Sequence, residues 1–257
     1  MANAAPSSGE CSLSPSGSEN DNVEPHYLRL RNQVADEIEA GILASGARLP
    51  SERKFQELTG SARGTIREAL SQLEAEGLIY RKDRSGWYVS PKPVTYDPTR
   101  WSGFMTYVAE QGRVPATETL QVKTEKQPPA VLDIFGKGVR NPLYRVERRR
   151  SIDERPVLVE EITINPALAP GLARHNLNGS LSSVLREVYG LAVTRNHVEM
   201  RACALVRHTA ECLGVKSGTP GLLVIRTSYD ARGRVIEYDQ EYWCANAIRI
   251  EVDLTVA

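Results

Sequence analysis

The chain has 257 residues, of which 41% are hydrophobic and 25% are charged, a balance typical of globular proteins with one large core or two modest ones. Its 32 basic residues are matched by 32 acidic ones, which excludes a uniformly basic polyanion-binding protein but not a local basic patch. No apolar run approaches the ~18 residues of a membrane span, and the N-terminus lacks the layout of a secretory signal. We therefore expect a cytoplasmic protein with no membrane partner.

The cysteines and histidines favour neither a disulfide framework nor a metal centre. The four cysteines show no CxxC spacing and are typical of free thiols in a reducing compartment. The four histidines are scattered, and the chain has no HExxH motif. We expect no metal, no cofactor and no redox chemistry.

The chain begins with a segment that has little apolar material. Residues 1–24 contain six serines and four acidic residues but no basic ones. Such a segment cannot bury enough apolar surface to offset the entropy lost on ordering. We predict that residues 1–24 form a disordered tail.

Residues 25–90 have the pattern of a small helical domain. Leu30, Val34 and Ile38 place an apolar stripe on a first helix, at about 26–43. A short second helix is predicted after the N-cap Ser51, and a third over about 63–76. Two short strands follow, at 78–82 and 87–90, with a polar turn between them. Three helices and a hairpin predict a winged helix-turn-helix, although a protein-interaction module of the same layout stays an alternative.

The charge distribution within this first domain favours DNA as its partner. Arg53, Arg63 and Arg67 lie near helix starts, and Thr65 lies between the last two. A helix with exposed arginine and threonine in its first two turns suits the major groove, where arginine can bind guanine bidentately. The predicted wing adds Arg81, Lys82 and Arg84. Gly86 beside them would let the backbone approach the sugar-phosphate closely.

A stretch of about forty residues carries a family resemblance. It reads LPSERKFQELTGSARGTIREALSQLEAEGLIYRKDRSGWYV, and it resembles the DNA-binding signature of the bacterial GntR family of transcription regulators. The resemblance implies contacts to bases and phosphates from Arg53, Arg63, Thr65, Arg67 and, at the wing tip, Gly86. Two positions depart from the family pattern: Ala62 replaces a capping serine, so that Ser61 could take over the cap, and Gly64 replaces a contacting threonine.

The second half of the chain has a different, sheet-rich pattern. Three prolines within 91–98 predict an extended, stiff linker and a domain boundary. Residues 99–257 then form the predicted second domain. It combines two amphipathic helices, one ending at Gly112 and one near Gly190, with strands at 143–152, 156–164, 197–206, 222–229 and 235–243. The fold class is therefore α+β, with a winged helix-turn-helix joined by a proline-rich linker to an α/β domain.

Strand alternation points to an anion site in the second domain. Arg148 and Arg150 lie on the more apolar face of strand 143–152, where an unpaired charge is costly. Glu160 has apolar neighbours on its face of the next strand. Ser180 would begin a helix, where a hydroxyl and backbone amides can hold a phosphate or carboxylate. The interpretations are an anion pocket or a partly buried internal salt bridge.

A second resemblance covers residues 99–257. The stretches LYRVERRRSIDERPVLVEEITINP, GSLSSVLREVYGL and AECLGVKSGTPGLLVIRTSYDARGRVIEYDQEYW resemble the UTRA ligand-binding domain of the HutC subfamily of GntR regulators, whose fold is similar to that of chorismate lyase. The resemblance implies effector contacts from Arg148, Arg150, Ser180, Glu160 and Glu237. Glu237 lacks support from alternation, since its strand face also carries Asp239 and Glu241 and could be solvated. Trp243 could line the pocket or the core.

These features together predict a transcription regulator rather than an enzyme. We expect a repressor that binds double-stranded DNA at a palindromic operator as a homodimer and is controlled by a small anionic effector, such as a phosphosugar, phosphonate or carboxylate. The alternative is a chorismate-lyase-like enzyme acting on a small carboxylate, but no nucleophile and base are paired in the sequence, and a lyase does not need the 25–90 domain. The chain is too short for an aminotransferase-fused regulator, and its strands argue against an all-helical, metal-binding sensor.

Overall fold

The computed structural model describes residues 25–82, 85–100 and 102–254, and it has the expected α+β architecture. The predicted tail, Asp83 and Arg84 of the wing turn, and Trp101 lie outside the described residues. Among the helices of the described residues, none is long and apolar enough to cross a membrane.

The N-terminal part consists of three helices followed by a hairpin. In chain order the elements are α1 (His26–Glu39), α2 (Glu52–Thr59), α3 (Arg63–Ala75), β1 (Ile79–Lys82) and β2 (Gly86–Val89). The Ser51 hydroxyl caps α2 by accepting from the backbone N–H of Lys54 at 3.2 Å, as its position before the helix predicts. Ala62 caps α3 without a side-chain hydrogen bond, so that Ser61 does not take over this role.

Apolar positions at helical spacing bring these elements together. Leu30 and Val34 of α1 pack with Phe55 of α2 and with the inner face of α3, where Ile66 and Leu73 are fully buried. Because this stripe occupies one side of α3, the positions between its members face away from the core. The sequence of α3 therefore determines which of its residues reach the surface.

The predicted linker is extended, but its middle is tied into the second domain. Val94–Tyr96 form strand β3, which pairs in parallel with β10 (Ile248–Ile250) near the C-terminus. Val94 and Tyr96 are buried in the core of the second domain. The prolines at either side account for the extended backbone, whereas the apolar residues of β3 account for its docking.

A six-stranded antiparallel sheet forms the second domain, with strand order β4-β5-β6-β9-β8-β7. Its strands are β4 (Pro115–Glu125), β5 (Leu143–Ile152), β6 (Arg155–Ile164), β7 (Arg195–Leu205), β8 (Thr219–Tyr229) and β9 (Val235–Cys244). Four helices accompany it: α4 (Phe104–Glu110), α5 (Pro129–Phe135), α6 (Leu181–Tyr189) and α7 (Arg207–Leu213). The five predicted strands and both predicted helices are present, while β4, α5 and α7 were not predicted.

The helices cover different regions of this sheet. Leu181 and Leu185 of α6 pack on Val146 and Ile162, which lie on the same face as Arg148. Phe104 of α4 packs near Trp243 on that side, at 6.0 Å between ring centroids. Helix α7 packs against β6 instead. A space between α4, α6 and the sheet therefore remains for a ligand.

Candidate nucleic-acid interface and effector pocket

The start of α3 presents two arginines to solvent. The side chains of Arg63 and Arg67 are 71% and 63% exposed, one helical turn apart. Their Nε atoms lie 3.4 and 3.5 Å from the same Glu52 carboxylate oxygen of α2. Such exposed pairs are weak, so a phosphate or a base edge can replace the carboxylate. Arg53 on α2 is also exposed.

The predicted wing glycine lies beside an arginine that precedes α2. Gly86 begins β2 with φ of +101°, a conformation that favours glycine, and Thr65 is half-buried on α3. The Arg48 guanidinium lies 3.8 Å from the position that a Cβ on Gly86 would take. Sequence patterning missed Arg48, which comes directly before the LPSER motif. The DNA contacts themselves stay predictions.

All five predicted effector residues line one cavity. Its volume is about 460 Å³, within the range of ligand pockets, and it lies between α4, α6 and the sheet. The predicted residues in its wall are Arg148, Arg150, Glu160, Ser180 and Glu237. The structure therefore brings the whole predicted set together, although it does not test binding.

Glu160 holds both arginines in buried ion pairs. The carboxylate contacts Arg148 Nε and lies 2.9 Å from Arg150 Nη2. Burial alone would raise the pKa of Glu160, but the two guanidinium groups outweigh burial and lower it. The internal salt bridge considered as an alternative is thus present, and it lies in the wall of the cavity. The two interpretations are compatible.

Arg148 also fixes the segment of the chain that leads into α6. Its Nη1 donates to the carbonyl oxygens of Leu177 and Gly179, at 3.1 and 3.2 Å. These carbonyls precede Ser180, whose hydroxyl caps α6 by accepting from the Ser183 N–H at 3.2 Å. Arg148 therefore positions the helix N-terminus that faces the cavity.

Arg150 instead lies over the Phe104 ring of α4, at 4.8 Å from the ring centroid.

The acidic face of β9 is buried, which corrects the solvated alternative. Glu237, Asp239 and Glu241 are each about 95% inaccessible, because their face of β9 lies beneath α4 and α6 in the cavity wall. Burial raises the pKa of Glu237, and burial together with Glu160 raises that of Asp239 well above its usual range. The carboxyls of Glu237 and Asp239 therefore keep a proton to a higher pH than exposed carboxyls do.

Positive charge predominates in the cavity wall. Five arginines and four carboxyl groups line it. The arginines therefore outnumber the carboxyl groups, and the raised pKa values of Glu237 and Asp239 act in the same direction. Several buried polar atoms there have no hydrogen-bond partner among the described residues, including Arg150 Nε, Arg226 Nε and Asp239 Oδ1. Buried polar atoms are normally satisfied, so these atoms favour a polar ligand.

Sequence patterning missed one cavity residue, and the structure settles one question that it left open. Arg226 of β8, which pairs with Glu241, lines the cavity but gave no signal in the sequence, because its strand neighbours are known only from the sheet order. Trp243 belongs to the core: it is 1% exposed and donates from Nε1 to Glu241 Oε2 at 2.9 Å. Its indole N–H therefore holds the Glu241 carboxylate in place.

A contact joins the sheet to the N-terminal domain. Arg155, at the start of β6, lies over the Tyr80 ring of β1 with 3.9 Å between its Cζ and the ring centroid. Its Nη2 donates to Asn246 Oδ1 at 2.8 Å, and Asn246 Nδ2 donates to Ser90 Oγ at 3.0 Å. Arg155 and the cavity residue Arg150 belong to the same β5–β6 hairpin.

Two family profiles match the chain. Residues 26–89 match the bacterial regulatory proteins of the gntR family, and residues 110–249 match the UTRA domain. These segments contain the exposed arginines of α3 and the arginines of the cavity respectively. They agree with the two resemblances noted in the sequence.

Similar proteins cover nearly the whole chain. The HTH-type transcriptional regulator YihL of Escherichia coli K12 is 31% identical over 84% of this chain and 92% of its own. The HTH-type transcriptional repressor NagR of Bacillus subtilis 168 is 27% identical over 83% of this chain and 88% of its own. The crystal structure of PhnF from Mycobacterium smegmatis superposes with a TM-score of 0.62 at 21% identity, covering 88% of this chain and 99% of its own. YihL and NagR are named as transcriptional regulators, which supports the regulator over the lyase, and the PhnF structure shows the same fold.

Proposed function

Because the chain belongs to the GntR family of bacterial regulatory proteins, in the HutC-type branch with a UTRA effector domain, we propose that it is a repressor released from its operator by a small anionic metabolite. The observation that carries this proposal is the cavity of about 460 Å³ whose wall is rich in buried arginines with unpartnered atoms. A small phosphosugar, phosphonate or carboxylate fits this volume and charge.

The cavity suggests how the two ends of the effector are recognised. The anionic end would lie between Arg150 and the N-terminus of α6, where the Ser180 hydroxyl and the helix dipole add to the guanidinium charge. The carboxyls of Glu237 and Asp239, with their raised pKa values, face the other part of the ligand. A carboxyl group accepts from a hydroxyl proton in either protonation state, so we infer an effector that carries hydroxyl groups beside its anion.

Operator binding is proposed to use two copies of the chain. Exposed arginines at the start of α3 suit one major groove, and a dimer would place a second α3 about 10 base pairs away on a palindromic site. Strand β7 supports dimerisation, because it is an eleven-residue strand at the edge of the sheet and its side chains are mostly exposed. The unpaired backbone groups of such an edge can pair with a second chain.

We propose that the β5–β6 hairpin transmits the signal. An effector that breaks the ion pair between Arg150 and Glu160 would shift the β5–β6 hairpin. At the turn end of this hairpin, Arg155 contacts the Tyr80 ring. A coupling of about 1–3 kcal/mol is sufficient, because it changes operator affinity about 5- to 150-fold. The proline-rich segment around β3 contributes a second, covalent connection.

A thermal-shift screen against phosphorylated sugars, phosphonates and organic acids tests the effector site. A ligand that binds only the folded state raises the melting temperature, and one chemical class should do so for the wild type. Arg150→Ala should abolish that shift, whereas Arg149→Ala, whose side chain points to the other face and pairs with Glu118, should retain it. An effector that shifts both variants equally contradicts the pocket assignment. Operator release by the active compound, measured by fluorescence anisotropy, then tests repression.

A further inference from the structure

Three metal-binding side chains meet on the face of the sheet opposite the cavity. Glu147 of β5 points away from Arg148, its neighbour in the strand, and meets His208 and Cys212 of α7. The His208 Nε2 atom lies 2.7 Å from Glu147 Oε1 and 3.5 Å from Cys212 Sγ. All three possible ligand atoms lie within 4.8 Å of one another.

The charge of this cluster favours a cation. The Glu147 side chain is only 8% exposed, and it pairs with His208, which is 61% exposed. A buried carboxylate is costly without compensation, and a bound cation would add to the compensation that His208 gives it. Burial and the carboxylates of Glu147, Glu211 and Glu118 raise the pKa of the Cys212 thiol, while Arg149 lowers it. A cation bound at the cluster would therefore enter an environment with excess negative charge.

We propose that Glu147, His208 and Cys212 bind a zinc ion. A carboxylate, an imidazole and a thiolate form the donor set that Zn²⁺ prefers among the common divalent cations. A tetrahedral ion with ligand bonds of about 2.0–2.3 Å needs its ligand atoms roughly 3.3–3.8 Å apart. The sulfur-to-nitrogen distance already fits, and the exposed His208 ring needs only a small rotation to widen its distance from Glu147. The fourth ligand would be a water molecule on the open side of the ring.

Binding has a defined chemical and structural consequence. The Cys212 thiol would lose its proton to solvent on coordination, since the thiolate is the metal ligand. The ion would then join α7 to β5 directly behind Arg148, and so hold the strand that carries both cavity arginines. Sequence motifs did not reveal the site because Glu147 is 61 residues from His208 and α7 was not predicted as a helix. The i, i+4 spacing of His208 and Cys212 was the one available signal.

Cobalt substitution of the full-length chain tests the site directly. After treatment with a chelator, one equivalent of Co²⁺ should give the near-ultraviolet charge-transfer band of a cobalt–thiolate bond. Cys212→Ser should abolish the band, and His208→Ala should weaken Co²⁺ binding by about 10- to 100-fold. The matched control is Cys203→Ser, which removes another partly buried thiol, one that lies on β7, and should leave the band intact.

A second measurement uses the metal itself. Zn²⁺ should protect Cys212 from alkylation in a peptide-mapping experiment while the labelling of Cys203 is unchanged, and it should raise the melting temperature of the wild type but not of Glu147→Gln. The absence of a cobalt–thiolate band in the wild type, or its persistence in Cys212→Ser, overturns the proposal. Neither outcome bears on operator or effector binding, which depend on other residues.

Discussion

Replacing Arg148 by methionine tests whether the buried ion pairs support the cavity. Methionine retains the apolar stem of the side chain but lacks the charged guanidinium group, so Glu160 keeps only Arg150 as a partner, at 2.9 Å. The carbonyls of Leu177 and Gly179 also lose their donor. Breaking a buried ion pair costs about 3–5 kcal/mol, and the remaining Arg150 places the expected loss near 3 kcal/mol.

The double variant Arg148→Met/Glu160→Gln separates charge from packing. Glu160→Gln alone leaves two buried guanidinium groups without their carboxylate and should also cost about 3 kcal/mol. In the double variant only Arg150 lacks its carboxylate, because the charges of Arg148 and Glu160 are both removed, so the loss should be about 3–4 kcal/mol, well below the sum of the two single losses. The two substitutions should therefore couple by at least about 1.5 kcal/mol.

Urea unfolding of the wild type and the variants measures this coupling. Arg149→Met is the matched control: Arg149 is the next residue in β5, faces the other way, and forms a partly exposed pair with Glu118 at 2.5 Å. Its loss should stay below about 1 kcal/mol. The reasoning is refuted if Arg148→Met costs no more than Arg149→Met, or if the losses of the two single variants simply add.

Three further outcomes are expected. Arg67→Ala should weaken operator binding by about 1–3 kcal/mol and relax base choice at one position in an anisotropy titration; unchanged affinity and sequence preference would remove Arg67 from the interface. Because the folded pKa of Asp239 is raised well above its usual value, the stability that its protonated carboxyl contributes is fully present below the unfolded pKa of about 3.9 and is lost as pH rises through the folded pKa. Asp239→Asn should therefore gain on the wild type as pH rises above about 3.9; a difference in melting temperature that stays constant from about pH 3.5 to about pH 8 would contradict this. Arg155→Ala removes the contact with Tyr80, so it should reduce effector-induced operator release while leaving the effector thermal shift; full release would exclude this route.

Local periodicity explains why so much of the cavity was predicted. Arg148 and Arg150 were placed on one face by the two-residue repeat of β5, and the structure puts both in the cavity wall with Glu160. Periodicity failed for β4, whose polar sequence has no apolar face and whose side chains are half-buried or exposed at the sheet edge. It also failed for α7, which has seven residues and is held by packing against β6.

The amino-acid order alone sufficed for features that depend on nearby residues. The apolar stripe of α3 directs Arg63 and Arg67 outward, and alternation in β5 separates Arg148 from Glu147, since both effects follow from backbone geometry over a few residues. Features that depend on strand order needed the folded chain. Covering one face of β9 with α4 and α6 buries its carboxyl groups and raises the pKa values of two of them. Helix α7 brings a histidine and a cysteine to a glutamate about sixty positions earlier. Burial and proximity across the sheet are non-local, so no repeat in the sequence encodes them.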